Sequence, residues 1–203
     1  MELYLITGFL GAGKTTFLKN FARQFAGRRL RLIINEFGRA GVDGTLLREL
    51  DAALDEISNG SIFCACRLDQ FEAALEQAAA DAPDVALVEA SGLADPTNVR
   101  RVLAQFPAVS YQGSVCVADA ARLEKVFSTA RACPRQLAVS SLVLLNKTDL
   151  ATEAQCAEAK ALILRANPAA RIRRAQFGRC EPEWLSLIVP DVDVDEVLDM
   201  PDI

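Results

Sequence analysis

The chain has 203 residues, 51% hydrophobic and 24% charged, a length suited to one domain and a composition at the globular average, which excludes wholesale disorder, collagen-like repeats and coiled coil. Its 27 acids and 22 bases leave a net charge of −5, yet Asp191, Asp193, Asp195, Glu196, Asp199 and Asp202 crowd the C-terminus with no base among them, so the body of the chain is nearly neutral. Histidine is absent, which removes Cys/His proteases, Ser/His hydrolases and His-bound zinc enzymes at once.

In chain order, an apolar run over 3–7 reads as a strand and is followed by a Gly-rich turn and a helix over 14–26. Further runs at 30–35, 85–89, 114–117 and 142–146 are rich in Val, Leu or Ile, and each is short enough to be a buried parallel strand. Between them, 68–81, 97–106, 120–130 and 152–167 repeat their apolar residues at three and four, as amphipathic helices do; Thr152 and Gln155 are spaced as a capping box. A last strand over 170–175 and a last helix over 182–189 complete the pattern. Strand followed by helix, repeated, predicts an α/β fold with a doubly wound, mostly parallel sheet and ligands at the carboxyl ends of its strands. Residues 1–190 form the expected domain, and 191–203 are either an edge strand or a disordered acidic tail.

No apolar run approaches the ~20 residues of a membrane span. The N-terminus lacks a basic stretch ahead of its apolar segment, so no signal peptide is expected and the protein reads as cytoplasmic. Its six cysteines are then thiols rather than disulfides. With no basic, aromatic-rich patch, neither nucleic acid nor a membrane is an expected partner.

The turn Gly8-Phe9-Leu10-Gly11-Ala12-Gly13-Lys14-Thr15 fits G-x-x-x-x-G-K-[ST] and lies directly between strand and helix, where a phosphate cradle must lie. Glycines let the backbone N–H groups curl round phosphate oxygens, Lys14 adds a point charge and the Thr15 hydroxyl can reach Mg²⁺. Asn146-Lys147-Thr148-Asp149 follows a buried strand, as the guanine-reading tetrapeptide of GTPases does. Asp149 can accept from the ring N–H and exocyclic amine of guanine, Asn146 braces the loop, and the Lys147 stem lies against the base. A carboxylate built for two donors rejects adenine by roughly 10⁴ or more, which opposes an ATP-using kinase. Glu36 and Glu89 end strands beside the cradle. Each could bind Mg²⁺ directly, bind it through water, or position the hydrolytic water. Gly92 could bring its backbone N–H to the terminal phosphate, which makes 91–95 a nucleotide-sensing loop.

With Gly8 to Thr16, Asn35-Glu36-Phe37-Gly38, Gly41-Val42-Asp43-Gly44, Glu89-Ala90-Ser91-Gly92-Leu93-Ala94-Asp95-Pro96 and Asn146 to Asp149 in this order, the chain resembles the CobW-type P-loop GTPases, relatives of the urease and hydrogenase nickel-insertion GTPases. The resemblance implies slow, Mg²⁺-dependent hydrolysis of GTP to GDP, coupled to delivering a metal or metal-bearing cofactor to a client metalloenzyme. It covers the GTPase domain alone, so client recognition is expected to use the core surface, the acidic tail or another subunit.

The chain also departs from the family. Relatives typically carry C-x-C-C after Asn-Gly, where this sequence reads Asn59-Gly60-Ser61-Ile62-Phe63-Cys64-Ala65-Cys66. Cys64 matches and Cys66 makes a new C-x-C pair. Two thiolates are half of a tetrahedral site for Zn²⁺ or another transition metal, which a homodimer could complete; otherwise they are inert thiols. Arg39 stands where many relatives have an acid. A metal-free, GTP-dependent activator or gate for a client enzyme is the alternative these changes favour.

Overall fold

The structure, a computed structural model, describes residues 1–35, 44–50, 52–57 and 68–190. Its elements run β1 (Glu2–Thr7), α1 (Lys14–Ala22), β2 (Leu30–Asn35), α2 (Gly44–Glu49), β3 (Ala52–Ile57), α3 (Leu68–Asp81), β4 (Val85–Glu89), α4 (Val99–Leu103), β5 (Ser110–Asp119), α5 (Leu123–Thr129), α6 (Ala132–Ala138), β6 (Leu142–Asn146), α7 (Glu153–Ala166) and β7 (Arg171–Arg174). Short 3₁₀ turns follow α1 at Arg23–Phe25 and β7 at Pro182–Leu187. The seven strands form one sheet in the order β3-β2-β4-β1-β5-β6-β7, and every pairing is parallel.

Helices cover both faces, so the central strands are buried along their whole length and apolar up to their carboxyl ends: β4 and β6 are buried at every residue, Glu89 and Asn146 closing them. Alternation then divides β1 between two cores. Tyr4 and Ile6 pack with Phe17, Leu18, Phe21 and Phe25 on the α1 side, while Leu3 and Leu5 pack with Phe71, Leu75 and Val102 from α3 and α4 on the other. The remaining part of that second face holds Val143 and Leu145 against Leu137 and Ile163 of α6 and α7. In α1 the Phe17 and Phe21 rings stack at 5.2 Å and Tyr4 meets Phe21 edge-on at 5.6 Å, each pair worth about 0.5–1.5 kcal/mol beyond burial. These rings fix α1 on the sheet and hold its N-terminus over the carboxyl end of β1.

The expected strands and helices are present with shifted ends. The helix expected over 14–26 tightens into 3₁₀ after Ala22. The strand at 114–117 is the middle of the longer β5, and the segment at 182–189 is a 3₁₀ turn. Thr152 caps α7: its hydroxyl accepts from Gln155 N at 3.2 Å while Gln155 Oε1 accepts from Thr152 N at 2.9 Å. Three elements were not foreseen, namely α2, β3 and α6. Edge strand β3 carries Asp55 and Glu56 and shows no continuous apolar run. In α6, Pro134 looks like a helix breaker, but it falls in the first turn, where its missing N–H is harmless. The segment 191–203 lies outside the described residues.

Candidate functional site

Parallel strands bring their carboxyl ends to one edge of the sheet. Ile6 pairs with Glu89 of β4, Thr7 with Cys116 of β5, and Asp119 of β5 with Asn146 of β6. The turn 8–13 therefore rises from β1 between Glu89 on one side and the β5 and β6 ends on the other. Gly13 caps α1 in the left-handed region at φ 103°, and a Cβ there would lie 2.6 Å from Asn146 Nδ2, so no other residue fits both the backbone and the neighbour. The first turn of α1 contains Lys14, Thr15 and Thr16 and no acid, which leaves the N–H end of the helix electropositive. Lys14 is buried, and Thr16 is exposed. The Thr15 hydroxyl donates to Glu89 Oε1 at 3.0 Å, and Glu89 is 1% exposed. This pairs a hydroxyl oxygen with a buried carboxylate at the mouth of the turn, a donor set of hard oxygens.

The second loop is bound directly to the first. Asn146 Nδ2 donates to Ala12 O at 2.9 Å, and Lys147 Nζ donates to Gly11 O at 2.6 Å. Lys147 also meets Asp119 Oδ2 at 2.8 Å, so an acid at the end of β5 aims the lysine at the P-loop. A third segment joins them. Gly178 N donates to Asn146 Oδ1 at 3.0 Å, Thr148 Oγ1 donates to Ala175 O at 3.0 Å, and Asn20 of α1 donates to the carbonyls of Phe177 and Gly178. Asp149 stands exposed at the rim of this assembly.

On the opposite side, the loop after β4 lies against the P-loop: a Cβ on Gly92 would fall 2.6 Å from Leu10 N. Its Ala94 N donates to Ser91 O at 3.0 Å. Asp95 accepts from Thr97 N and Oγ1 and pairs with Arg135 of α6. The buried Gln136 donates to Gly92 O at 3.3 Å and Ala94 O at 2.9 Å.

The structure brings Gly8, Gly11, Ala12, Gly13, Lys14, Thr15, Glu89, Gly92, Asn146 and Lys147 together at one edge of the sheet, while Thr16 and Asp149 are exposed. Glu36, Cys64 and Cys66 lie outside the described residues. Sequence reasoning missed Asp119, Asn20 and Gln136. Asp119 had a usable signal, since it ends a buried strand just as Glu89 does. Gln136 and Asn20 had none.

Beneath the P-loop, Cys116 and Cys133 line a cleft with Phe9, Leu10 and Arg122. Burial pushes the Cys116 thiol well above its ordinary value, the nearby Cys133 adds to this and Lys14 opposes it; burial pushes Cys133 up to about 12. Neither is a thiolate at neutral pH, and thiolates are what metals and electrophiles take. Among the described residues, no cluster of three or more Cys, Asp or Glu could hold a metal ion, and no helix is long and apolar enough to cross a membrane.

Residues 2–174 match the CobW/HypB/UreG nucleotide-binding domain. The zinc chaperone CobW of Pseudomonas aeruginosa is 32% identical over 206 residues, an alignment covering 84% of this chain and 55% of that protein. The chain spans about half the length of the curated relatives it matches. Among solved structures, the fold is similar to the Zn(II)-bound YjiA GTPase of Escherichia coli, with a TM-score of 0.68 and 23% identity over 94% of this chain and 61% of that one. The hydrogenase maturation factor HypB of Archaeoglobus fulgidus gives a TM-score of 0.60 and 21% identity, over 92% of this chain and 87% of that one.

Proposed function

The chain belongs to the CobW/HypB/UreG nucleotide-binding family, and from that premise we propose that it is a GTPase whose nucleotide cycle serves metal delivery to a client protein. The observation that carries the guanine reading is the direct bonding of the 146–149 loop to the P-loop, through Asn146 to Ala12 O and Lys147 to Gly11 O. This geometry supports a nucleotide with phosphates in the Gly8–Thr15 turn and a base at Asp149. Lys14, the backbone N–H groups and the α1 N-terminus stabilise charge that develops on the phosphates. Thr15 and Glu89 suit Mg²⁺: the Thr15 hydroxyl, whose proton goes to Glu89 Oε1, keeps lone pairs it could offer to the cation, which would offset charge on the terminal phosphates. Glu36 is proposed as a second carboxylate for that cation or for the attacking water. Gly92 offers its N–H to the γ-phosphate, which GTP has and GDP lacks.

Binding of fluorescent GTP and ATP tests the base assignment. GTP should be preferred by orders of magnitude, and Asp149→Asn should shift preference to xanthosine triphosphate, which keeps the ring N–H donor and has an acceptor carbonyl where guanine has its exocyclic amine. Equal GTP and ATP affinities would overturn it.

Relatives named as zinc chaperones support metal cargo, for which Cys64 and Cys66 are the proposed thiolate ligands, with a homodimer able to complete four-coordination. The metal-free activator remains the second reading because Ser61 and Phe63 replace two thiols of the family motif. A chelator-competition titration separates them. Zn²⁺ affinity should differ between GTP-analogue and GDP states and fall in Cys64→Ser/Cys66→Ser, and linkage requires Zn²⁺ to change nucleotide affinity by the same factor. Identical weak binding in all cases favours the activator.

A further inference from the structure

Gln136 is fully buried in α6, where an apolar residue of its shape would be cheaper. Both groups facing its amide nitrogen are carbonyls, Gly92 O and Ala94 O, so the amide can sit only one way round. Its oxygen is then left in the interior with no hydrogen-bond partner among the described residues, a burden of about 1–3 kcal/mol. A fold that keeps such a group gains something from the two bonds on its other side. Those bonds hold one loop, the segment whose Gly92 lies so close to the P-loop that a Cβ would fall 2.7 Å from the Leu10 side chain. The loop is therefore clamped between Leu10 and α6. Arg135, the preceding residue, grips its far end through Asp95.

We propose that Gln136 is a positioning residue for GTP turnover: it fixes the Gly92 and Ala94 carbonyls so that the Gly92 N–H is presented to the terminal phosphate, and α6 thereby senses whether that phosphate is there. The inference rests on the GTPase reading above. A carbonyl held from behind fixes the peptide plane that follows it, so the bond to Gly92 O holds the Gly92 Cα and the Leu93 N–H in place; with that Cα anchored the Gly92 N–H keeps its aim, and donors preset toward developing charge are worth most where no reorganisation follows. Gln136 touches no substrate atom; its effect passes through the backbone of 92–94.

Such a role makes a demand that core packing alone does not. Losing Gln136 should weaken the GTP state and leave the GDP state nearly intact. Gln136→Met keeps the side-chain length and removes both donors. Affinity for a non-hydrolysable GTP analogue should fall about tenfold, as the loss of one to two ordinary hydrogen bonds implies, and single-turnover hydrolysis should fall at least as far, while GDP affinity stays within about twofold. Arg135→Ala, at an exposed side chain, should lower the same GTP/GDP ratio by a smaller factor, and it keeps the test decisive should the Gln136 variant fail to fold. Equal losses for both nucleotides, or no loss of the ratio in either variant, overturn the proposal. The wild type run alongside separates the two claims: if it binds no guanine nucleotide, the GTPase reading itself falls.

Discussion

Asn146 uses both ends of one amide to tie three segments together, donating to Ala12 O and accepting from Gly178 N, while its Nδ2 fills the space that a side chain at position 13 would need. Asn146→Asp is therefore more than a lost bond. The carboxylate would face the Ala12 carbonyl in a site 2% exposed, a buried charge against an acceptor. Stability should drop by about 2–4 kcal/mol in urea titration and nucleotide affinity by more than a hundredfold in fluorescence binding; an unchanged P-loop function would show that the two loops are independent. Lys147 makes a similar point from the other side. Sequence reasoning gives its stem a place on the base, while the structure adds that its ammonium lies between Gly11 O and Asp119.

At the level of elements, the edge strand β3 is held by a charge where apolar pairing would be expected. Arg31 lies in β2 at 6% exposure, its Nε and Nη2 on Asp55 of β3 at 2.5 and 2.9 Å, with Asp81 of α3 as a further partner. The hydrogen bond to Asp55 is the leading cause that holds the guanidinium above its ordinary pKa, so it stays charged at any usable pH. Asp55→Ala removes the bidentate partner and leaves a buried cation leaning on the half-exposed Asp81. A destabilisation of about 1–3 kcal/mol is expected, read as a lower urea midpoint, with hydrogen exchange rising first in β3. Loss below about 0.5 kcal/mol would mean that backbone pairing alone fixes that edge. The same buried-charge logic explains why β3 escapes detection in the sequence: a strand selected to salt-bridge an arginine does not spell an apolar run.

For the whole molecule, Cys116, Cys133 and Cys180 make stability depend on alkaline pH. Burial pushes Cys133 and Cys180 up to about 12 from an ordinary 9.0, and Cys116 well above it. In the unfolded chain these thiols ionise near 9; in the folded chain they keep their protons. The unfolded state therefore loses protons first as pH rises, and stability, undisturbed below about pH 8, should fall progressively from about 9 towards 12. Urea midpoints at pH 7.5, 9 and 10.5 check this, and Cys133→Ala should flatten the decline. At pH 8 iodoacetamide should leave Cys116 and Cys133 unmodified until urea is added.

The sequence by itself determined what depends on neighbours along the chain. The proposed phosphate cradle is a strand, a glycine turn and Lys14-Thr15 in consecutive order, and Asn146 to Asp149 is a single tetrapeptide after a single strand, so both could be found without knowing the sheet order. The capping box at Thr152 and Gln155 belongs to the same class. Only the tertiary structure decided what depends on pairs far apart: that β4 lies between β2 and β1 and so sets Glu89 beside Thr15, that Asp119 steers Lys147, and that Gln136 reaches across to Gly92. Backbone sterics and hydrophobic period act over a few residues and are written in order. Contacts between strand ends exist only once a parallel sheet has brought its carboxyl edges together, and no local pattern records which residue will meet which.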